Sequence, residues 1–188
     1  MIRTFVALPI PAPWRDYLGA LCRDLAGGRS GLSWVRPENL HLTVRFLGDL
    51  GESGVARVRE TVRAAAAPLE APAARLGALG AFPNLARPRV IWVGLARGEE
   101  EVGAVARAVN GALERAGFGP PDKPFRAHLT LARVREGARG LEALRDAAAG
   151  EPPEEALLDR IVVMKSDLHP AGARYTALEE VRLRPPGR

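Results

Sequence analysis

Two of the three histidines in this chain head nearly identical tetrapeptides, His41-Leu42-Thr43-Val44 and His128-Leu129-Thr130-Leu131. Alternate residues of a strand share a face. Each tetrapeptide read as a strand therefore presents one imidazole and one hydroxyl side by side, above Leu42 and Val44 in the first and Leu129 and Leu131 in the second. An imidazole titrates near about 6.5, so around neutrality one ring can be a free base while another is an imidazolium. Set on opposite flanks of a phosphorus, the base would deprotonate an attacking water and the acid would protonate the departing oxygen. The hydroxyls of Thr43 and Thr130 would donate to the non-bridging oxygens, where charge grows in the transition state. The residue types point to in-line displacement at a phosphodiester.

Other readings of these residues stay open at this stage. One His-x-Thr carries little information; two copies carry more. Two neutral imidazoles could also ligate zinc, although no third or fourth ligand is evident beside them. No Walker-type glycine-rich loop and no nucleotide-transfer lysine motif is present, so ATP-dependent chemistry has no support. His169, in Leu168-His169-Pro170, reads as a surface-loop residue. Arg45, two residues beyond Thr43, shares its face under strict alternation, while Phe46 alternates towards the interior.

The elements that must carry the motifs follow from periodicity. Ile2 to Leu8 is an apolar, β-branched strand. Pro13 opens a helix whose stripe runs Trp14, Tyr17, Leu18, Leu21, Cys22 and Leu25, until Gly27-Gly28 stops it. Cys22 on that stripe reads as a small buried hydrophobe. The first histidine strand spans Leu40 to Leu47. Ser53 is expected to cap a second helix from Gly54 to Ala67, with Val55, Val58 and Val62 inward. Ala74–Leu79 and Val90–Leu95 are strand candidates. A third helix is expected from Glu99 to about Ala116 on Val102, Val105, Val109 and Leu113. Pro120, Pro121 and Pro124 then break the chain before the second histidine strand. A short helix near Leu141–Ala149, strands near Ile161–Leu168 and Arg174–Leu183, and a frayed Pro185-Pro186-Gly187 end complete the pattern.

This order repeats at a constant offset. His41 and His128 are 87 positions apart, and so are Phe5-Val6-Ala7-Leu8 and Trp92-Val93-Gly94-Leu95. Leu18 and Val105, and Cys22 and Val109, pair at the same offset on the first helix of each half. A duplicated unit is therefore expected. It gives an α+β, bilobal, pseudo-twofold fold in which two antiparallel sheets line a central cleft and helices lie outside. Residues 1–188 would form one such bilobal domain.

Composition narrows the class. The chain has 188 residues, 47% of them hydrophobic, enough for one compact domain or two small lobes. A single cysteine excludes a disulfide-stapled secreted scaffold. No apolar run approaches the roughly 20 residues of a membrane span, and the first residues lack a signal-peptide pattern. A soluble cytoplasmic protein is expected. The net charge of +5, carried almost wholly by arginine, suits a phosphate-bearing partner without identifying one.

Taken together, these residues resemble the 2H phosphoesterase superfamily, and within it the RNA 2',3'-cyclic phosphodiesterases, historically called 2'-5' RNA ligases. The resemblance rests on the two His-x-Thr-x motifs. It extends to Arg3-Thr4-Phe5-Val6-Ala7, Glu38-Asn39-Leu40 before His41, and Phe46-Leu47-Gly48 after it. It continues through Arg89-Val90-Ile91-Trp92-Val93-Gly94, Phe125, Ala132-Arg133, Ser166-Asp167-Leu168 and Gly172-Ala173-Arg174-Tyr175. The resemblance implies hydrolysis of an RNA 2',3'-cyclic phosphate to a 2'-phosphate, with no metal and no cofactor. It implies His41 as proton donor to the 3'-oxygen, His128 as the acceptor that activates water, and Thr43, Thr130 and Arg133 as phosphate-binding residues. Strict alternation puts Arg133 on the face opposite His128, so it reaches the site only if the strand ends or bulges near Ala132. The reverse reaction, joining RNA ends in a 2'-5' linkage, would use the same groups.

The implied partner is RNA ending in a 2',3'-cyclic phosphate, with no membrane, no obligatory protein partner and a monomeric chain. Trp34, Phe46 and Tyr175 are candidates for stacking on a base. The alternatives are an RNA-end-binding module without turnover, and the same chemistry on a small cyclic or 2'-5' nucleotide.

Overall fold

A computed structural model of the chain describes residues 1–27, 30–139, 151–169 and 172–187. Its strands are β1 (Ile2–Pro9), β2 (Ser30–Trp34), β3 (His41–Leu50), β4 (Ala73–Phe82), β5 (Val90–Arg97), β6 (Leu129–Arg139), β7 (Ala156–Leu157), β8 (Arg160–Asp167) and β9 (Arg174–Arg182). The helices are α1 (Ala12–Ala26), α2 (Glu52–Ala66) and α3 (Glu99–Leu113). The expected helix near Leu141–Ala149 lies outside the described residues.

Every strand pairing is antiparallel, and the order is β7-β4-β5-β6-β3-β1-β8-β9, with β2 added along β6. Four strands centred on β1 and β3 form one half, and five centred on β5 and β6 form the other. The two sheets expected from the duplication are continuous with each other through one register pair, Leu42 with Leu129. This is the α+β bilobal architecture that the 87-residue repeat implies.

One face of the joined sheet is apolar. Val6 and Leu8 of β1, Leu42 and Val44 of β3, Ile91 and Val93 of β5 and Leu129 and Leu131 of β6 are buried in a single core cluster. The inward stripes of the helices close it: Trp14, Leu18, Leu21 and Leu25 from α1, Val58 and Val62 from α2, Val102, Val105, Val109 and Leu113 from α3. Cys22 is buried with them, as its place on the stripe predicts. Among the described residues no helix is long and apolar enough to cross a membrane.

The structure corrects several local expectations. Helix α2 starts at Glu52 with Gly51 at its N-cap and no side-chain cap, so Ser53 lies inside the first turn. Beyond Leu113, helix α3 loosens into a wider turn, Glu114–Phe118, broken by Gly117 at φ 88°. Strand β2 has no counterpart in the sequence reading, because five residues including Ser30-Gly31 carry no clear alternation. It is formed by pairing with β6, Leu32 opposite Val134 and Trp34 opposite Ala132.

Candidate active site

The polar face of the sheet holds a cleft of about 480 Å³, lined by His41, Thr43, His128, Thr130 and Arg133 together with Phe46, Phe82, Phe125 and Tyr175. All five residues assigned to the site from sequence thus meet in one place. The Leu42–Leu129 pair lies beneath them and keeps the two motif strands adjacent.

The two imidazoles are held alike. Nδ1 of His41 lies 2.6 Å from the carbonyl oxygen of Asn39, and Nδ1 of His128 lies 2.7 Å from that of Arg126. A carbonyl only accepts, so each Nδ1 carries the proton and donates it. In the neutral ring Nε2 is then the free base, turned to the cleft. Each ring also packs on an aromatic side chain at the equivalent position of the neighbouring strand. His41 lies 5.0 Å from Phe5 and His128 lies 6.2 Å from Trp92, centroid to centroid. A second ring completes each seat, Tyr175 at 5.5 Å from His41 and Phe82 at 5.1 Å from His128, both edge-on.

The two seats differ in their polar partners. Thr43 Oγ1 is 2.9 Å from His41 Nε2. Burial pushes both imidazoles below their ordinary range, and the backbone bonds through Nδ1 oppose that shift. The charge of His128 lowers His41 further, while the Arg133 guanidinium lowers His128. Burial raises the pKa of the Tyr175 hydroxyl, and the guanidinium groups of Arg133 and Arg3 oppose that shift in part.

Arg133 reaches the cleft by the irregularity its position requires. Ile91 pairs with Ala132 and Trp92 with Thr130, leaving Leu131 as an extra residue in β6. Leu131 and Ala132 are both buried, and Arg133 returns to the face of Thr130, exposed. The first motif has the same irregularity at its equivalent residue. Ala7 pairs with Thr43 and Val6 with Arg45, leaving Val44 extra. The carbonyl of Leu131 accepts from the Val35 N–H at 2.8 Å, and that of Val44 faces Asn110 Nδ2 at 3.5 Å.

This bulge overturns two expectations for the first strand. Arg45 contributes to the lining of the cleft but is only 6% exposed, its guanidinium drawn to a loop backbone and not left open beside Thr43. Its Nη2 lies 2.8, 2.7 and 3.3 Å from the carbonyl oxygens of Phe118, Gly119 and Pro120. That guanidinium therefore holds the segment leading into the Pro121–Arg126 wall of the cleft. Phe46, expected to point inward, is 58% exposed and lines the cleft. Phe46 and Arg133 are positional equivalents, 87 residues apart.

Of the stacking candidates, Phe46 and Tyr175 face the cleft, whereas Trp34 packs on the core. His169 is exposed in the turn after β8. Residues not foreseen as parts of the site are Phe82, Lys123, Arg126 and Asn39. The last two act through backbone carbonyls, and Asn39 Nδ2 also donates to Ala173 O at 2.7 Å, tying the first motif to the β8–β9 turn. A backbone carbonyl has no sequence signature, so spacing from the histidines, two residues in each case, was the available signal. Among the described residues no three His, Cys, Asp or Glu side chains converge as metal ligands would.

Comparison with known proteins agrees with this geometry. The family model described as LigT like phosphoesterase matches twice in succession, over residues 8–92 and 93–175. A protein of Archaeoglobus fulgidus named RNA 2',3'-cyclic phosphodiesterase is 38% identical over 134 residues, 71% of this chain and 73% of its own length. One of the same name from Methanothermobacter thermautotrophicus is 30% identical over 97% of this chain and 99% of its own. Among solved structures, TT0787 of Thermus thermophilus superimposes with a TM-score of 0.76 at 30% identity, covering 98% of this chain and 99% of that one. E. coli LigT in its apo form shares the fold at the same TM-score and 21% identity, over 97% of this chain and 98% of its own. The chain belongs to the LigT-like phosphoesterase family.

Proposed function

We propose that the chain hydrolyses 2',3'-cyclic phosphate ends of RNA to 2'-phosphates by acid–base catalysis between His41 and His128, without a metal ion. The observation that carries this reading is the matched seating of the two rings. Each donates Nδ1–H to a backbone carbonyl two residues upstream and so turns Nε2 into one shared cleft. The relatives named RNA 2',3'-cyclic phosphodiesterase supply the substrate class.

In this reading His128 Nε2 takes a proton from water as its oxygen bonds to phosphorus. The bond from phosphorus to the 3'-oxygen breaks, and His41 Nε2–H delivers the proton to that oxygen, leaving a 2'-phosphomonoester. Burial, the largest influence on both rings, disfavours the charged form of each. The Arg133 guanidinium adds a cation that disfavours a further positive charge at His128, which suits the role of base, while the assignment of the acid to His41 follows the resemblance to the family. When His41 is protonated it no longer accepts from Thr43, whose hydroxyl is released to donate to a phosphate oxygen. Thr130 and the Arg133 fork hold the others.

Among the described residues, no third His, Cys, Asp or Glu joins the two imidazoles to make up the three protein ligands of a catalytic zinc site. With a 5'-hydroxyl in place of water at the cyclic phosphate, the same acid and base would join ends in a 2'-5' linkage, favoured only where the ends are held at high effective concentration. Phe46 and Tyr175 give a terminal base two aromatic surfaces on the first half. The repeated family match and the Leu42–Leu129 pair support one bilobal unit built from an 87-residue repeat, with a site complete in one chain. The test is incubation with an oligonucleotide ending in a 2',3'-cyclic phosphate in excess EDTA, with identification of the product isomer. A 2'-phosphate is expected. Binding without turnover, a 3'-phosphate product or loss of activity in EDTA would overturn the reading.

A further inference from the structure

We propose that β6 carries a second phosphate subsite at Arg135, which takes the phosphate on the 5' side of the terminal nucleotide and makes the enzyme prefer RNA ends to cyclic mononucleotides. The inference deepens the proposed function and rests on it. After the bulge at Leu131, alternation in β6 resumes for three residues, Arg133 outward, Val134 packed on the core and Arg135 outward, before the register against β2 shifts again beyond Val134. Ser33 is directly opposite Arg133 in β2 and so shares its face. Arg135 Nη2 stands 3.5 Å from Ser33 Oγ, which places the Arg135 guanidinium on that face as well. His128, Thr130, Arg133 and Arg135 therefore form one line running out of the cleft.

Two features make this line a track for a backbone. Among the described residues neither Arg133 nor Arg135 forms an ion pair, and the bond of Arg135 to Ser33 is at the limit of hydrogen-bonding distance, so both forks are available to an anion. Two residues of strand advance about 7 Å, a spacing of the order that one ribose imposes between its cyclic phosphate and its 5'-phosphate. The first half offers no such track. The positions equivalent to Arg133 and Arg135 are Phe46 and Gly48, an aromatic surface and a glycine within β3 at φ 71°, beside a second register shift against β1. The duplicated strands have thus diverged, leaving apolar surface for a base on β3 and cations for successive phosphates on β6. The asymmetry also gives the strand a direction, with the upstream nucleotides leaving over the β2–β6 edge.

The experiment compares kcat/KM for a nucleoside 2',3'-cyclic monophosphate with that for a dinucleotide carrying the same terminal nucleoside 2',3'-cyclic phosphate, in the wild type, R135Q, R135K and R107Q. R107Q removes an equal charge from exposed α3. The ratio of dinucleotide to mononucleotide is taken within one preparation, so any loss of folded protein cancels. The wild type should prefer the dinucleotide. R135Q should lower the ratio by roughly three- to tenfold, the effect of one exposed charge-assisted contact. R135K should recover part of it, and R107Q should keep the wild-type ratio. The salt slope for the dinucleotide should fall by about 0.7 in R135Q. An R135Q ratio equal to the wild type's, with both substrates turned over, overturns the subsite and leaves the function standing. Turnover of neither substrate by the wild type overturns the function, and the subsite with it.

Discussion

Leu42 pairs with Leu129, its own counterpart 87 residues later in the chain. In an antiparallel ladder, two equivalent residues can oppose each other only where a twofold axis passes between them. The axis of the duplication therefore runs through this pair. The histidine before each leucine and the threonine after it lie on the opposite face, over the axis. One backbone pair thus fixes the separation of the two catalytic candidates. Truncating either leucine should be costly to both fold and function. Leu129→Ala should destabilise by about 2–5 kcal/mol, as for other fully buried leucines, measured by urea unfolding, with a lower kcat/KM in the fraction that stays folded.

Arg133 is expected to act on both the phosphate and the base. Since burial and Arg133 lower the His128 pKa, and burial and His128 lower that of His41, the bell of kcat/KM against pH should centre on the acid side of about 6.5. Removing the cation in Arg133→Gln makes imidazolium less unfavourable at His128. The acidic limb, where the base is lost, should then move to higher pH. The rate should fall by about 10²–10³ as a phosphate donor is lost. Arg133→Lys should keep more of the limb's position than of the rate, because it retains the charge and loses the fork. An acidic limb that stays in place would separate Arg133 from His128.

Phe46 offers the cleft an exposed ring at the position where the second half has Arg133. Stacking of a base on an aromatic side chain is worth about 1–3 kcal/mol. Phe46→Ala should lower kcat/KM by roughly 5- to 150-fold on that scale, and Phe46→Trp should retain most of it. An unchanged rate in Phe46→Ala would leave Tyr175 as the remaining aromatic surface for the base on the first half.

Much of this site was legible in the sequence, and the reasons are specific. The tetrapeptides and their offset located both imidazoles, both hydroxyls and the duplication, because strand periodicity and spacing are properties of the chain alone. What periodicity could not supply was the bulge. An extra residue at Val44 or Leu131 is defined against a partner strand, Val6-Ala7 or Ile91-Trp92, so it is invisible until the sheet is paired. The bulge exchanges the roles of Arg45 and Phe46 and brings Arg133 to the cleft. Strand β2 was missed for the same reason, since its five residues are ordered by β6 and not by their own pattern.

Arg45 shows what the misplaced guanidinium does instead. It is buried in the first half and holds three carbonyls at the entrance of the loop that forms the second half's wall. That loop ends at Arg126, whose carbonyl seats His128. Arg45→Met leaves these carbonyls without their donor and should cost about 2–3 kcal/mol of stability, read by urea unfolding. It should also lower kcat more than it raises KM, since the base loses its support. A variant with wild-type stability and kcat would contradict this link.

Gly80 tests the seat of His128 from the other side. A Cβ at Gly80 would collide with the Trp92 indole, which packs against both Phe82 and His128. Gly80→Ala should destabilise by about 1–3 kcal/mol through overpacking, change Trp92 emission and reduce activity. An active variant with unchanged fluorescence would mean the indole has room to move.

The central claim is that His41 and His128 act as one unit across the twofold axis. Its most direct test is the hydrolysis rate of a 2',3'-cyclic phosphate oligonucleotide by His41→Ala, His128→Ala and the double variant, at saturating substrate and in EDTA. Groups that act together are not additive, so each single variant should lose about 10³-fold or more, and the double variant little beyond that. Turnover in either single variant within tenfold of the wild type, or losses that multiply in the double variant, would contradict it.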